Sequence, residues 1–201
     1  MKKFKIAVLA STKGTDLQAI IDRIKDGTVD YELSIVLSNK KNAYALQRAK
    51  SEGYKAIFVD PKNKTREQFD EEMKNILVEE GVDLVVLVGY MRILSAPFVN
   101  HFKDRIINVH PALIPKYCGK NFFDANVHEA VIKNKEKETG MTIHFINEQV
   151  DAGPIIIQKK CKVSPDDTPE TLKAKVQELE KHWYPIVIQW IADGKVKVPT
   201  S

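Results

Sequence analysis

Five consecutive aliphatic residues, Leu84-Val85-Val86-Leu87-Val88, leave no polar face to turn toward water. A strand of that kind has to be covered on both sides, as in the centre of a parallel sheet flanked by helices. The chain repeats the arrangement: Phe4 to Ala10, Leu33 to Leu37, Ala56 to Val59 and Ile106 to Val109 also read as buried strands. Between them apolar residues recur at helical spacing, as Leu17, Ile20, Ile21 and Ile24, then across Ala43 to Ser51, then as Phe69, Met73, Ile76 and Leu77. Alternation of this sort predicts an α/β fold, a doubly wound, mostly parallel, Rossmann-like sheet with right-handed crossovers. After Pro111 the pattern changes. Thr142 to Ile146 and Pro154 to Val163 predict a C-terminal antiparallel extension joined through a loop at Asp151. Thr168-Pro169-Glu170 opens a long terminal helix, which Pro185 is expected to kink.

Length and charge narrow the possibilities. The 201 residues suit one sizeable core, and no linker or repeat divides them, so 1–201 reads as a single domain. A net charge of +4 suits an anionic small molecule and lacks the basic stripe that nucleic-acid binding requires. No segment is long enough to span a membrane, and the apolar run after Met1-Lys2-Lys3 is too short for a signal peptide. Two cysteines, Cys118 and Cys161, make neither a disulfide framework nor a metal cluster. The expectation is a cytoplasmic protein with small-molecule substrates, no metal, no nucleic acid and no membrane partner. Self-association is not legible in the sequence and leaves monomer and homodimer both open.

Chemistry concentrates in Ile106-Ile107-Asn108-Val109-His110-Pro111 and, some forty residues on, Asp151-Ala152-Gly153-Pro154. Asn108 and His110 are two apart, so a strand sends both to one face while Val109 points into the sheet packing. Pro111 ends the ladder because it has no N–H. An Asn amide can donate to a developing oxyanion, and an imidazole can do the same or move a proton. A carboxylate beside the imidazole orients it and favours its protonated form. Together the three fit transfer of an acyl-type carbon. With no Ser, Cys or Lys nucleophile in the motif, direct attack by a substrate amine is the simpler scheme. Strand capping by Asn108 and His110 is an equally weighted reading of the spacing alone.

A second signal follows the first strand, where Ser11-Thr12-Lys13-Gly14-Thr15-Asp16-Leu17 forms a polar loop that opens a helix. Free amides and the helix dipole there suit an anion such as phosphate. The alternative is that Thr15 or Asp16 simply caps the helix.

These motifs, in their order, resemble the glycinamide ribonucleotide formyltransferases, folate-dependent enzymes of purine biosynthesis. The resemblance covers nearly the whole chain. It rests on Ser11 to Ile20, Gly89-Tyr90-Met91-Arg92-Ile93-Leu94, Asn108 to Pro115, Gly140 to Phe145 and Val150 to Ile156. It implies the formyltransferase fold, with 1–110 as a nucleotide-binding-like half and 111–201 as the folate and catalytic half. It implies Asn108, His110 and Asp151 as the catalytic trio, Gly14, Thr15 and Asp16 at the substrate phosphate, and Glu180 near the ribose. Met91, Arg92, Ile93 and Leu94 would border the folate, with the loop before Asp151 on its other side. The implied formyl donor is 10-formyltetrahydrofolate, used without a metal, and the implied acceptor is the amine of glycinamide ribonucleotide.

Several positions depart from the family pattern. Thr12 stands where a glycine is usual, Asp16 where Asn is frequent and Lys181 where His is common. A carboxylate beside a phosphate is unfavourable unless it points away, caps the helix or is offset by a cation such as Lys13. Rival readings are a formyltransferase for another amine, a formyltetrahydrofolate hydrolase and a noncatalytic nucleotide-binding domain. His144, between Ile143 and Phe145, reads as a structural histidine outside the chemistry. Trp183, Tyr184 and Trp190 read as core, and the stretch Gly119 to Asp124 has no assigned role.

Overall fold

The computed structural model describes residues 3–119, 122 and 125–196. Of the unassigned stretch, Lys120, Asn121, Phe123 and Asp124 lie outside the described residues. The elements run β1 (Lys5–Ala10), α1 (Thr15–Lys25), β2 (Glu32–Ser38), α2 (Tyr44–Ser51), β3 (Ala56–Phe58), α3 (Arg66–Glu79) and β4 (Leu84–Val88). They continue as α4 (Ala96–His101), β5 (Ile106–His110), α5 (Ala125–Lys133), β6 (Glu138–Phe145), β7 (Ile155–Lys162) and α6 (Pro169–Ala192). One seven-stranded sheet has the order β3-β2-β1-β4-β5-β6-β7. The first five strands are mutually parallel, and β6 and β7 are antiparallel additions. The expected fold class therefore holds.

Strand pleating divides the core between the two faces of the sheet. Ile6, Val8 and Ala10 of β1 pack with α1, α2 and α6, whereas Ala7 and Leu9 pack with α3 and α4. All five residues of β4 are buried, as its sequence requires. Two helices lack a signal in the sequence reading. The first, α4, has only six residues with Pro97 in its first turn, too short for periodicity to register. The second, α5, follows the stretch that ends at Asp124. Strand β6 begins four residues before the expected Thr142, because Gly140 can pass close to β7 where a side chain could not. A Cβ on Gly140 would lie 1.9 Å from the Lys159 carbonyl oxygen.

Helix α6 begins with a reciprocal capping box between Thr168 and Thr171 and continues through Pro185 to Ala192. Tyr184, fully buried on it, directs its hydroxyl to the carbonyls of Leu87 at 2.8 Å and Ile107 at 3.2 Å. One phenol thereby ties α6 to both β4 and β5. Trp183 and Trp190 are partly buried against the same core. Tyr184→Phe is expected to keep the fold and lose about 1–2 kcal/mol of stability, read as a lower denaturation midpoint at unchanged slope.

Chain order reverses between β1 and β4, which leave toward opposite edges of the sheet. Crossovers on either side of such a point splay apart and leave a crevice at the carboxyl ends of the strands.

Candidate active site

The crevice is a cavity of about 880 Å³, within the usual range for small-molecule sites. At one end lies the start of α1. Gly14 is its N-cap, left-handed at φ 66°, and no side chain caps the helix. The alternative in which Thr15 or Asp16 caps α1 is thereby overturned. Gly14 is required twice: for its positive φ, and because a Cβ would sit 2.8 Å from Ala45 Cβ on α2. Thr15, Asp16 and Glu180 line the same cavity. Lys173, Gln177 and Glu180 recur at helical spacing, so α6 presents them on one face.

Met91, Arg92, Ile93 and Leu94 also line the cavity, after β4. Leu94 is buried, whereas Met91 and Ile93 are exposed large apolar side chains. Arg92 lies over the Phe69 ring, 4.5 Å from its centroid, and its Nε is buried without a partner. The segment is pinned to β1, since the Met91 N–H donates to Ser11 Oγ at 2.9 Å and Ser11 Oγ donates to Asn39 at 2.6 Å.

The three chemistry-bearing residues converge where β5 ends. Asn108, Val109 and His110 all line the cavity, and Val109 also packs, with Ile107, against the core on the α6 side of the sheet. Asp151 sits between two imidazoles. Its Oδ2 is 3.9 Å from His110 Nδ1 and its Oδ1 is 3.9 Å from His144 Nε2. Asp151 Oδ2 also accepts from the Gly119 N–H at 2.9 Å. A turn holds it there, with Asp151 itself at φ 55° and Gly153 packed beneath.

Hydrogen-bond roles assign the ring nitrogens. A carbonyl can only accept, so His110 Nε2 donates to Tyr117 O at 2.7 Å. That leaves Nδ1 as the nitrogen able to move a proton on the Asp151 side. An amide nitrogen can only donate, so Asn108 Nδ2 donates to His144 Nε2 at 3.3 Å. His144 Nδ1 then carries the proton and donates to the Phe145 carbonyl at 2.9 Å. Burial holds the His144 pKa below its ordinary value, against the opposing pull of that carbonyl and of Asp151. A neutral His144 is the form that can accept from Asn108. It thus orients the amide, as a buried, hydrogen-bonded structural histidine beside the expected trio. Its place opposite Asn108 comes from the β5–β6 register, which no local motif encodes.

Thr142, one step before Ile143, anchors the loop that follows β5. Its hydroxyl donates to Ala112 O at 2.7 Å and accepts from the Ile114 N–H at 3.1 Å. Burial, then the charge of Asp151, pushes the Cys118 thiol pKa up, and its Sγ donates to the Pro115 carbonyl at 3.2 Å. Among the described residues no cluster of His, Cys, Asp and Glu could hold a metal ion, and no helix is long and apolar enough to cross a membrane.

Comparison with known proteins identifies relatives of this chain. The profile of the family described as "Formyl transferase" matches residues 4–188. Phosphoribosylglycinamide formyltransferase of Haemophilus influenzae is 39% identical over 195 residues, 96% of this chain and 90% of the relative. The Escherichia coli K12 protein of the same name is 38% identical over 96% of this chain and 89% of its own length. Among solved structures, glycinamide ribonucleotide transformylase 1 from Symbiobacterium toebii superposes with a TM-score of 0.92 at 36% identity, covering 98% of this chain and 91% of that one. By profile, sequence and fold together, this chain belongs to the formyl transferase family.

Proposed function

We propose that this enzyme transfers the formyl group of 10-formyltetrahydrofolate to the amine of glycinamide ribonucleotide in purine biosynthesis. The observation that carries the reading is the cavity itself: an uncapped helix N-terminus at Gly14 opens into the space that Asn108, His110 and Asp151 line. A phosphorylated amine held at the first would bring its nitrogen toward the second. The amine attacks the formyl carbon. Asn108, oriented by His144, and His110 stabilise the oxygen that becomes negative, and Asp151 supports the charged imidazole. His110 Nδ1–H, facing Asp151, gives its proton to the departing folate nitrogen as the carbon–nitrogen bond breaks, and the proton released by the attacking amine restores it. The exposed faces of Met91 and Ile93 and the backbone around Arg92 offer a flat heterocycle apolar cover and hydrogen-bonding groups.

The test is release of folate product from a 10-formylfolate donor with and without glycinamide ribonucleotide. Release that requires the ribonucleotide is the expected result. Release without it would replace the reading with hydrolysis, and no release despite donor binding would point to a different amine.

A further inference from the structure

The anion-binding end of the cavity carries a carboxyl group for which the formyl-transfer scheme has no use. Asp16 is 5% exposed, lines the cavity, and has an Oδ1 with no hydrogen-bond partner. It lies in the first turn of α1, an eleven-residue helix whose N-terminus attracts an anion. An ionised carboxylate in that place only accepts hydrogen bonds and repels a phosphate. A protonated carboxyl instead presents an O–H donor. The helix terminus and its second residue therefore favour the same ligand only if Asp16 carries a proton.

We propose that Asp16 binds the substrate phosphate as a neutral acid, donating its O–H to a phosphate oxygen, so that binding above neutral pH draws one proton from solvent into the site. This rests on the phosphorylated-acceptor reading above and assigns the protonation state of its anion site.

The surroundings support a proton there. Burial pushes the Asp16 pKa up to about 7, with Lys181 on α6 pulling partly the other way. The cation that acts on Asp16 is thus Lys181 rather than the expected Lys13, and Lys181 is itself paired with Glu178 at 2.7 Å. Also on α6, Tyr184 is held far above its ordinary pKa by burial, then by the charges of Asp16 and Glu180. Its hydroxyl is committed to the Leu87 and Ile107 carbonyls. Glu180 and Lys173 line the cavity from α6, and Lys13 lines it from the loop before α1. On the α2 side Ala45 packs against Gly14 at the helix start, and Arg48 is engaged by the Lys13 carbonyl and by Gln18.

The sign of the pH effect follows. A phosphate monoester has its second pKa near about 6 and is mostly a dianion from neutral pH upward. Below about pH 7 the free site already holds its proton. Above it, binding must recover the proton from solvent, so the apparent Kd rises toward about tenfold per pH unit. An Asn side chain would donate at every pH and remove that dependence.

The experiment is calorimetric titration of the intact protein with ribose 5-phosphate, which lacks an amine that titrates in the same range. It is run at about pH 6.5, about pH 7.5 and about pH 8.5 in buffers of different ionisation enthalpy. Expected for the natural chain is uptake approaching one proton per ligand at the highest pH, with Kd weakening about tenfold over the last step. Asp16→Asn should bind with no uptake and a flat Kd. Lys181→Gln, at a half-exposed position, should move the break in the wild-type profile to higher pH. Equal uptake in the natural chain and Asp16→Asn, or a flat profile in both, would overturn the proposal. Parallel titration with glycinamide ribonucleotide separates the two readings: an Asp16-dependent uptake with ribose 5-phosphate stands even if the ribonucleotide proves not to be the formyl acceptor.

Discussion

His110→Ala is expected to lower kcat for formyl transfer by about 10²- to 10³-fold, with binding of the folate donor retained. His110 is 5% exposed at the end of β5, so its ring has little freedom to vary its aim. Its Nε2 is held by the Tyr117 carbonyl, and only Nδ1 faces Asp151. On the proposed mechanism, removing the ring takes away an oxyanion donor and the imidazole that exchanges a proton with the reacting groups. Asp151→Asn is a sharper version of the same test. It preserves shape and an oxygen for the Gly119 N–H but deletes the charge between the two imidazoles. Steady-state kinetics alongside a direct donor-binding titration distinguish the outcomes. Near-normal turnover in either variant would remove that residue from the catalytic trio.

Gly153→Ala should be damaging by a different route. A Cβ at this position would fall 1.8 Å from the Phe145 carbonyl oxygen and 3.3 Å from the Asn147 nitrogen. Neither contact is with a flexible side chain, and the Phe145 N–H is itself bonded to Pro154 O at 2.9 Å. The turn has to move away from β6 and carry Asp151 with it. The expected loss is about 1–3 kcal/mol or more of stability, together with a fall in activity per folded molecule. Gly140→Ala, whose Cβ would meet the Lys159 carbonyl at 1.9 Å, should destabilise similarly through the β6–β7 pairing. Thermal melts and titration of folded active sites separate the two effects. A Gly153→Ala protein with wild-type melting and turnover would show that the turn does not hold Asp151 in place.

Asn108 and His110 could be recognised from the sequence because a strand's period of two forces them to a common face and Pro111 marks where the ladder stops. The loop at Gly14 could be singled out as a candidate anion site for a comparably local reason: a polar turn leads directly into a helix. Whether Thr15 or Asp16 capped that helix could not be decided locally. The answer depended on the close approach of Ala45, which leaves room only for glycine at the cap. The α4 helix escaped notice because six residues hold less than two turns of pattern.

The alternation of apolar runs, by itself, determined a parallel sheet covered on both faces, because burial on two sides is the only outlet for a segment such as Leu84 to Val88. It also determined which polar residues reach the carboxyl ends of those strands. Only the tertiary structure decided what stands beside them. His144 became part of the site through antiparallel pairing that sets it opposite Asn108, and Asp151 through a turn folded against β6. Burial pushes the Asp16 pKa up, with Lys181 on α6 as a partial offset. Register, burial and the field of a distant helix are non-local quantities, and the identity of one residue and its neighbours in sequence does not contain them.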